Sequence, residues 1–75
     1  MQRADVLIHI NETLDVTERT SLEDDLRKAD GGIVPRFNKV KPHLLLVTYD
    51  PQAVDTRNLL AQVTAKGYSA QLVGL

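Results

Sequence analysis

Apolar residues recur along the chain with two periods, one of two residues and one of 3.6, and their order sets out six elements. Over residues 4–10, Val6, Ile8 and Ile10 alternate with Leu7 and His9. This predicts a strand with one face in the core and His9 on the other. Residues 11–15 are polar and turn-forming, and a helix follows. Asp15 is a candidate cap, with Glu18 completing an acidic variant of the capping box, and Thr20 with Glu23 is a second candidate. Leu22, Leu26 and Ala29 recur at helical spacing, and Gly31-Gly32 supplies the stop.

Residues 33–40 form a weaker strand in which Ile33, Pro35 and Phe37 share a face. Pro35 has no N–H to give a sheet ladder, so this strand belongs at an edge. A short connection over 38–42 makes a hairpin with the next strand. That strand opens the strongest run of the chain, 43–54, which is apolar, β-branched and aromatic until it stops at Asp50-Pro51. It reads as a strand in the middle of a sheet. Asp55 caps a second helix, Val54 and Leu59 have the spacing of a hydrophobic staple, and Leu59, Leu60 and Val63 form the stripe. Lys66 and Gly67 provide a cationic last turn and a stop, and residues 68–75 close the chain as a last strand.

Strand, helix, strand, strand, helix, strand, joined by right-handed crossovers, predicts an α+β fold: a ferredoxin-like βαββαβ sandwich. The four-stranded antiparallel sheet takes the order 4-1-3-2, with both helices on one face. Residues 1–75 make a single domain, in which folding buries only roughly 60% of the unfolded chain's surface.

Composition narrows the chemistry. There is no cysteine, which removes disulfides and every thiolate site, whether zinc, soft-metal or redox. A net charge of -1, with cations scattered among acids, leaves no electrostatic footprint for nucleic acid or an anionic membrane. RNA-binding sheets of this topology stack bases on aromatics of the central strands, whereas here the first strand has none and the third only Tyr49. Residues 1–5 lack the apolar stretch of a signal peptide, and the longest apolar run, 44–47, is far short of a membrane span. The expectation is a soluble cytoplasmic protein with neither nucleic-acid nor membrane partners.

The second half of the chain carries a family resemblance. Val47-Thr48-Tyr49-Asp50-Pro51, then Val54, Leu59-Leu60, Val63 and Lys66-Gly67-Tyr68-Ser69-Ala70, resemble a heavy-metal-associated (HMA) domain. That family comprises small copper chaperones and the amino-terminal modules of metal-pumping ATPases. The likeness spans nearly the whole chain in length and element order, and it implies the ferredoxin-like fold. Family members hold soft metals on a Met-x-Cys-x-x-Cys loop between the first strand and first helix. Asn11-Glu12-Thr13-Leu14-Asp15-Val16 stands there instead, so the resemblance implies an HMA-like scaffold without the Cys-x-x-Cys metal motif.

On its own terms the sequence points to a small non-enzymatic module for protein interaction or self-association. Leu44 and Leu46 face one side of the third strand and Leu45, Val47 and Tyr49 the other, and both sets are apolar. With helices on one face only, the other exposes an apolar patch joined by Leu7, and such patches often mark association surfaces. Leu7, Leu45, Val47 and Tyr49 are the interface candidates, for a homodimer or an unknown protein partner. The alternative is a divalent-metal binder using His9, Glu12 and Asp15, ligand types that suit zinc, nickel or manganese. Their spacing matches no ligand motif, and carboxylates at a helix start usually serve as caps. No catalytic residue and no cofactor is expected. His9 and His43 on neighbouring strands lack an orienting partner, and Glu23-Asp24-Asp25 point apart on a helix, with Glu23 to Arg27 and Asp24 to Lys28 spaced as surface pairs.

Overall fold

In a computed structural model, which describes residues 3–73, the two strongest apolar runs pair with each other. The elements are β1 (Ala4–Ile10), α1 (Val16–Lys28), β2 (Val34–Phe37), β3 (Leu44–Tyr49), α2 (Thr56–Thr64) and β4 (Ala70–Val73). All strand pairs are antiparallel and the sheet runs β2-β3-β1-β4, the expected order read from its other edge. The chain is therefore an α+β domain of ferredoxin-like arrangement, with β1 and β3 in the centre. Among the described residues no helix is long and apolar enough to cross a membrane.

The β1–β3 register decides where the core sits. Val6 pairs with Val47 and Ile8 with Leu45, so one face of the two central strands is continuous apolar surface. Leu22 and Leu26 of α1 and Leu59 and Val63 of α2 lie in the same buried cluster, so both helices cover this face. Leu14, Ile33 and Val54 fill its ends from the connecting loops. Burying one such side chain contributes about 1.5–3 kcal/mol.

The helix starts follow the cap chemistry. Asp15 Oδ1 accepts from the N–H of Glu18 at 2.7 Å while Glu18 Oε1 accepts from the N–H of Asp15 at 3.1 Å, so α1 begins at the first of the two candidate caps. Asp55 Oδ1 accepts from the N–H of Asn58 at 2.7 Å, and Val54 and Leu59 are both buried beside it.

Two strands are shorter than their patterns. Asn38 Oδ1 accepts from the N–H groups of Val40 and Lys41, both at 2.8 Å, and this closed turn ends β2 at Phe37 rather than at residue 40. At the other edge, residues 68–69 belong to the loop before β4, and residues 74–75 of the expected last strand lie outside the described residues.

The turn after α1 is packed against the loop after β3. Gly31 has φ +122°, and its carbonyl accepts from the N–H of Asp50 at 2.9 Å. A Cβ added there would lie 2.7 Å from Val54 Cγ1, inside the core wall. Gly67 also has a positive φ, +93°, but a Cβ there would meet nothing within 4 Å. Gly31→Ala therefore combines backbone strain with a clash and should cost about 2–4 kcal/mol, whereas Gly67→Ala should cost about 1 kcal/mol from strain alone. Urea denaturation of the two variants checks the ranking.

Candidate protein interface on the open sheet face

The face of the sheet away from the helices carries rows of side chains set by the register. Arg36, Leu46, Leu7 and Val73 form the middle row across all four strands. On one side lies the row Val34, Thr48 and Asp5, and on the other Leu44, His9 and Gln71. Leu7, Leu44 and Leu46 are only partly buried although they sit on the two central strands. They line, with Arg36, Phe37 and Asn38, a hollow of about 320 Å³ that opens toward solvent.

This placement corrects part of the candidate set. Leu7 is on the open face, but Leu45, Val47 and Tyr49 are 0%, 0% and 7% exposed and belong to the core under the helices. The reason is their pairing: they stand opposite Ile8, Val6 and Ala4, whose parity is fixed by the helix-covered face. The open set of β3 is Leu44, Leu46 and Thr48. A signal for this was present in the sequence, because only that set contains a polar member.

Polar groups pin both ends of the face. At one end Thr48 Oγ1 donates to Asp5 Oδ1 at 2.6 Å across the β1–β3 pair. At the other end the rings of His9 and His43 stack, with centroids 5.6 Å apart and planes 15° from parallel. His43 Nδ1 donates to the carbonyl of Ile10 at 2.7 Å, while the N–H of Ile10 donates to the His43 carbonyl at 2.9 Å. The imidazole thus takes part in the ladder one residue beyond the strand. His9 Nδ1 contacts Asn11 Oδ1 at 3.1 Å.

The three metal-ligand candidates are not brought together. His9 stacks on His43, Asp15 caps α1, and both carboxylate oxygens of Glu12 accept from the N–H of Ser69, at 2.8 and 3.0 Å. Glu12 therefore ties the β1–α1 loop to the loop before β4. Among the described residues no group of three or more His, Cys, Asp or Glu side chains is placed to hold a metal ion. Nearly parallel imidazole planes also do not converge on one point, which a shared metal in both ring planes requires.

The acidic run of α1 works in packing rather than in surface pairs at i,i+4. Glu23 Oε2 accepts from the N–H of Phe37 at 3.2 Å, Asp24 pairs with Arg27 at 3.1 Å, and Asp25 is bonded to Lys66 beyond α2. Glu23 thereby closes the outer edge of β2. The N–H positions that point away from β3 are residue 35, a proline without one, and Phe37, whose N–H is taken.

The chain matches none of the known protein-family models, and no curated protein is similar to it in sequence.

Two predictions follow from these contacts. A carbonyl can only accept, so neutral His43 carries its proton on Nδ1, and long-range 15N–1H spectra should show that tautomer and not the Nε2–H form. The hydrogen bond from Lys66, aided by the charges of Lys66 and Lys28 and opposed by desolvation, holds the Asp25 carboxyl below its ordinary value. A depressed folded-state pKa adds stability above the ordinary carboxylate value of about 3.9 and loses it as pH falls through the folded one. Lys66→Met should move the Asp25 midpoint back up in a carboxyl 13C titration and flatten the acid limb of the stability curve.

Proposed function

We propose that this chain is a small, non-enzymatic, cytoplasmic module that works by protein interaction or self-association through the open face of its sheet, on a scaffold resembling the heavy-metal-associated family without its thiolate site. One observation carries the reading: the two central strands bring Leu7, Leu44 and Leu46 together on the face that the helices do not cover. The fold has its core without Leu7, Leu44 and Leu46, and those side chains gather around a single hollow beside Arg36. Contiguous apolar surface of this kind, rimmed by polar groups, is characteristic of association sites. The family likeness draws its support from element order and from the residues of the second half, and a fold alone does not specify a function.

Thr at these positions keeps the β-branched preference of a strand while removing apolar contact area. Leu7→Thr, Leu44→Thr and Leu46→Thr should each leave the circular dichroism spectrum unchanged at a cost of about 1 kcal/mol. Combined, they should abolish the association of the native chain in sedimentation velocity. A strictly monomeric, identical sedimentation coefficient for the native and triple-variant chains would overturn self-association and leave a different protein as the partner to be tested.

A further inference from the structure

Charge on this molecule is divided by element. Residues 31–49, which contain β2, the Asn38 turn and β3, hold three of the nine cations and none of the ten acids, leaving six cations against ten acids elsewhere. Those three are Arg36, Lys39 and Lys41, and among the described residues none makes a side-chain hydrogen bond or ion pair. Four of the other six are engaged: Arg3 with the Gly32 carbonyl, Arg19 with the Leu14 carbonyl, Arg27 with Asp24, and Lys66 with Asp25. The three hairpin cations are thus unpartnered among the described residues, as are Lys28 and Arg57 on the helices, and of these five Arg36 is the one that lines the apolar hollow.

We propose that the open face receives an acidic, apolar peptide segment at the β2–β3 hairpin, deepening the interaction reading on which it rests. An apolar side chain of the partner seats in the hollow over Leu7, Leu44 and Leu46, and a flanking carboxylate pairs with the Arg36 guanidinium at its rim. A hollow of about 320 Å³ has the volume for one large side chain and its neighbours. Lys39 and Lys41 lie on a turn fixed by Asn38, which also presents Val40 at 86% exposure, so two cations and an apolar side chain project at the end of the hairpin. Complementary charge of this kind speeds encounter and selects among apolar partners.

Three features favour a peptide held by its side chains. Strand addition at this edge is blocked by Pro35 and by the Glu23 contact to Phe37. A single-stranded nucleic acid would use a stacking platform, but Tyr49 is buried, Phe37 and Tyr68 pack against the core, and the imidazoles of His9 and His43 at the end of the face stack on each other. The guanidinium also matches a carboxylate through paired N–H groups.

Amide chemical shifts of the full chain test this, with four probes: a capped hexapeptide alternating Glu and Leu, its Gln–Leu and Lys–Leu counterparts, and hexauridylate. The Glu–Leu peptide should give saturable shifts at Leu7, Arg36, Leu44 and Leu46. Its affinity should fall roughly tenfold in Arg36→Gln, an exposed substitution that leaves the core intact, and should weaken with added salt. Equal binding of the Gln–Leu peptide would overturn the charge selection while leaving the face an association surface. Binding of hexauridylate in preference to the peptides would overturn the peptide assignment. If no probe shifts the face and the triple Thr variant sediments like the native chain, both this inference and the interaction reading fall.

Discussion

The pairing of β1 with β3 is the constraint on which the rest depends, and hydrophobicity alone does not specify it. Ile8 stands opposite Leu45 on the covered face and Leu7 opposite Leu46 on the open one, so both faces carry an aliphatic pair at their centre. A slip of β1 by one residue, which exchanges its faces, would still put Leu7 under the helices but would bury Asp5 and His9 with it. The ends of the pair resolve the ambiguity. Thr48 reaches Asp5 at one end, and His43 grips the Ile10 carbonyl at the other, contacts that a slipped register would lose. Polar residues at the two ends of the strands thus select among pairings that the aliphatic positions alone would barely distinguish.

A second set of polar contacts fixes the loops to that frame. Glu12 holds the N–H of Ser69, and the N–H of Asn11 donates to the Ser69 carbonyl at 2.8 Å, so the loops after β1 and before β4 close on each other. Glu23 joins α1 to β2, and Asp25 joins α1 to the end of α2. Acids whose types suggested ligands are thereby occupied as caps and latches. In a domain with one thin core, such contacts orient helices whose packing area is small.

Local rules made most of the fold legible. The alternation of Val6, Ile8 and Ile10, the Asp15 and Glu18 box, the Val54 and Leu59 spacing and the edge position of Pro35 each depend on residues a few positions apart, where geometry follows from sequence distance. The less legible features depend on long separations. The partner of Glu23 is 14 residues away and that of Asp25 is 41 away, and nothing local to α1 announces either. The parity of β3 was ambiguous because Leu44 and Leu46 are as apolar as Leu45 and Val47. Only Thr48, paired with Asp5 on the neighbouring strand, distinguishes the solvent side of β3. The shortening of β2 came from Asn38, whose side chain competes with the ladder for backbone N–H groups.

The two surfaces of the β2–β3 hairpin are treated in opposite ways. Its backbone edge is closed to acceptors: proline removes one outward donor and a glutamate from the far layer occupies the next, so another strand finds no free N–H to pair with at residues 35 and 37. Its side-chain surface is left open, with leucines that the core does not need and cations that no acid neutralises. Had the sequence served folding alone, polar β-formers at residues 44 and 46 would continue the pattern that Thr48 begins and would reduce the apolar area shown to water. Closing the edge suppresses indiscriminate strand addition, and any partner of the hairpin must then meet it through side chains. Recognition by side chains depends on fit and charge, whereas addition to an edge depends mainly on main-chain hydrogen bonds common to all sequences. The closed edge and the open leucine face together make the surface selective, which either feature alone would not.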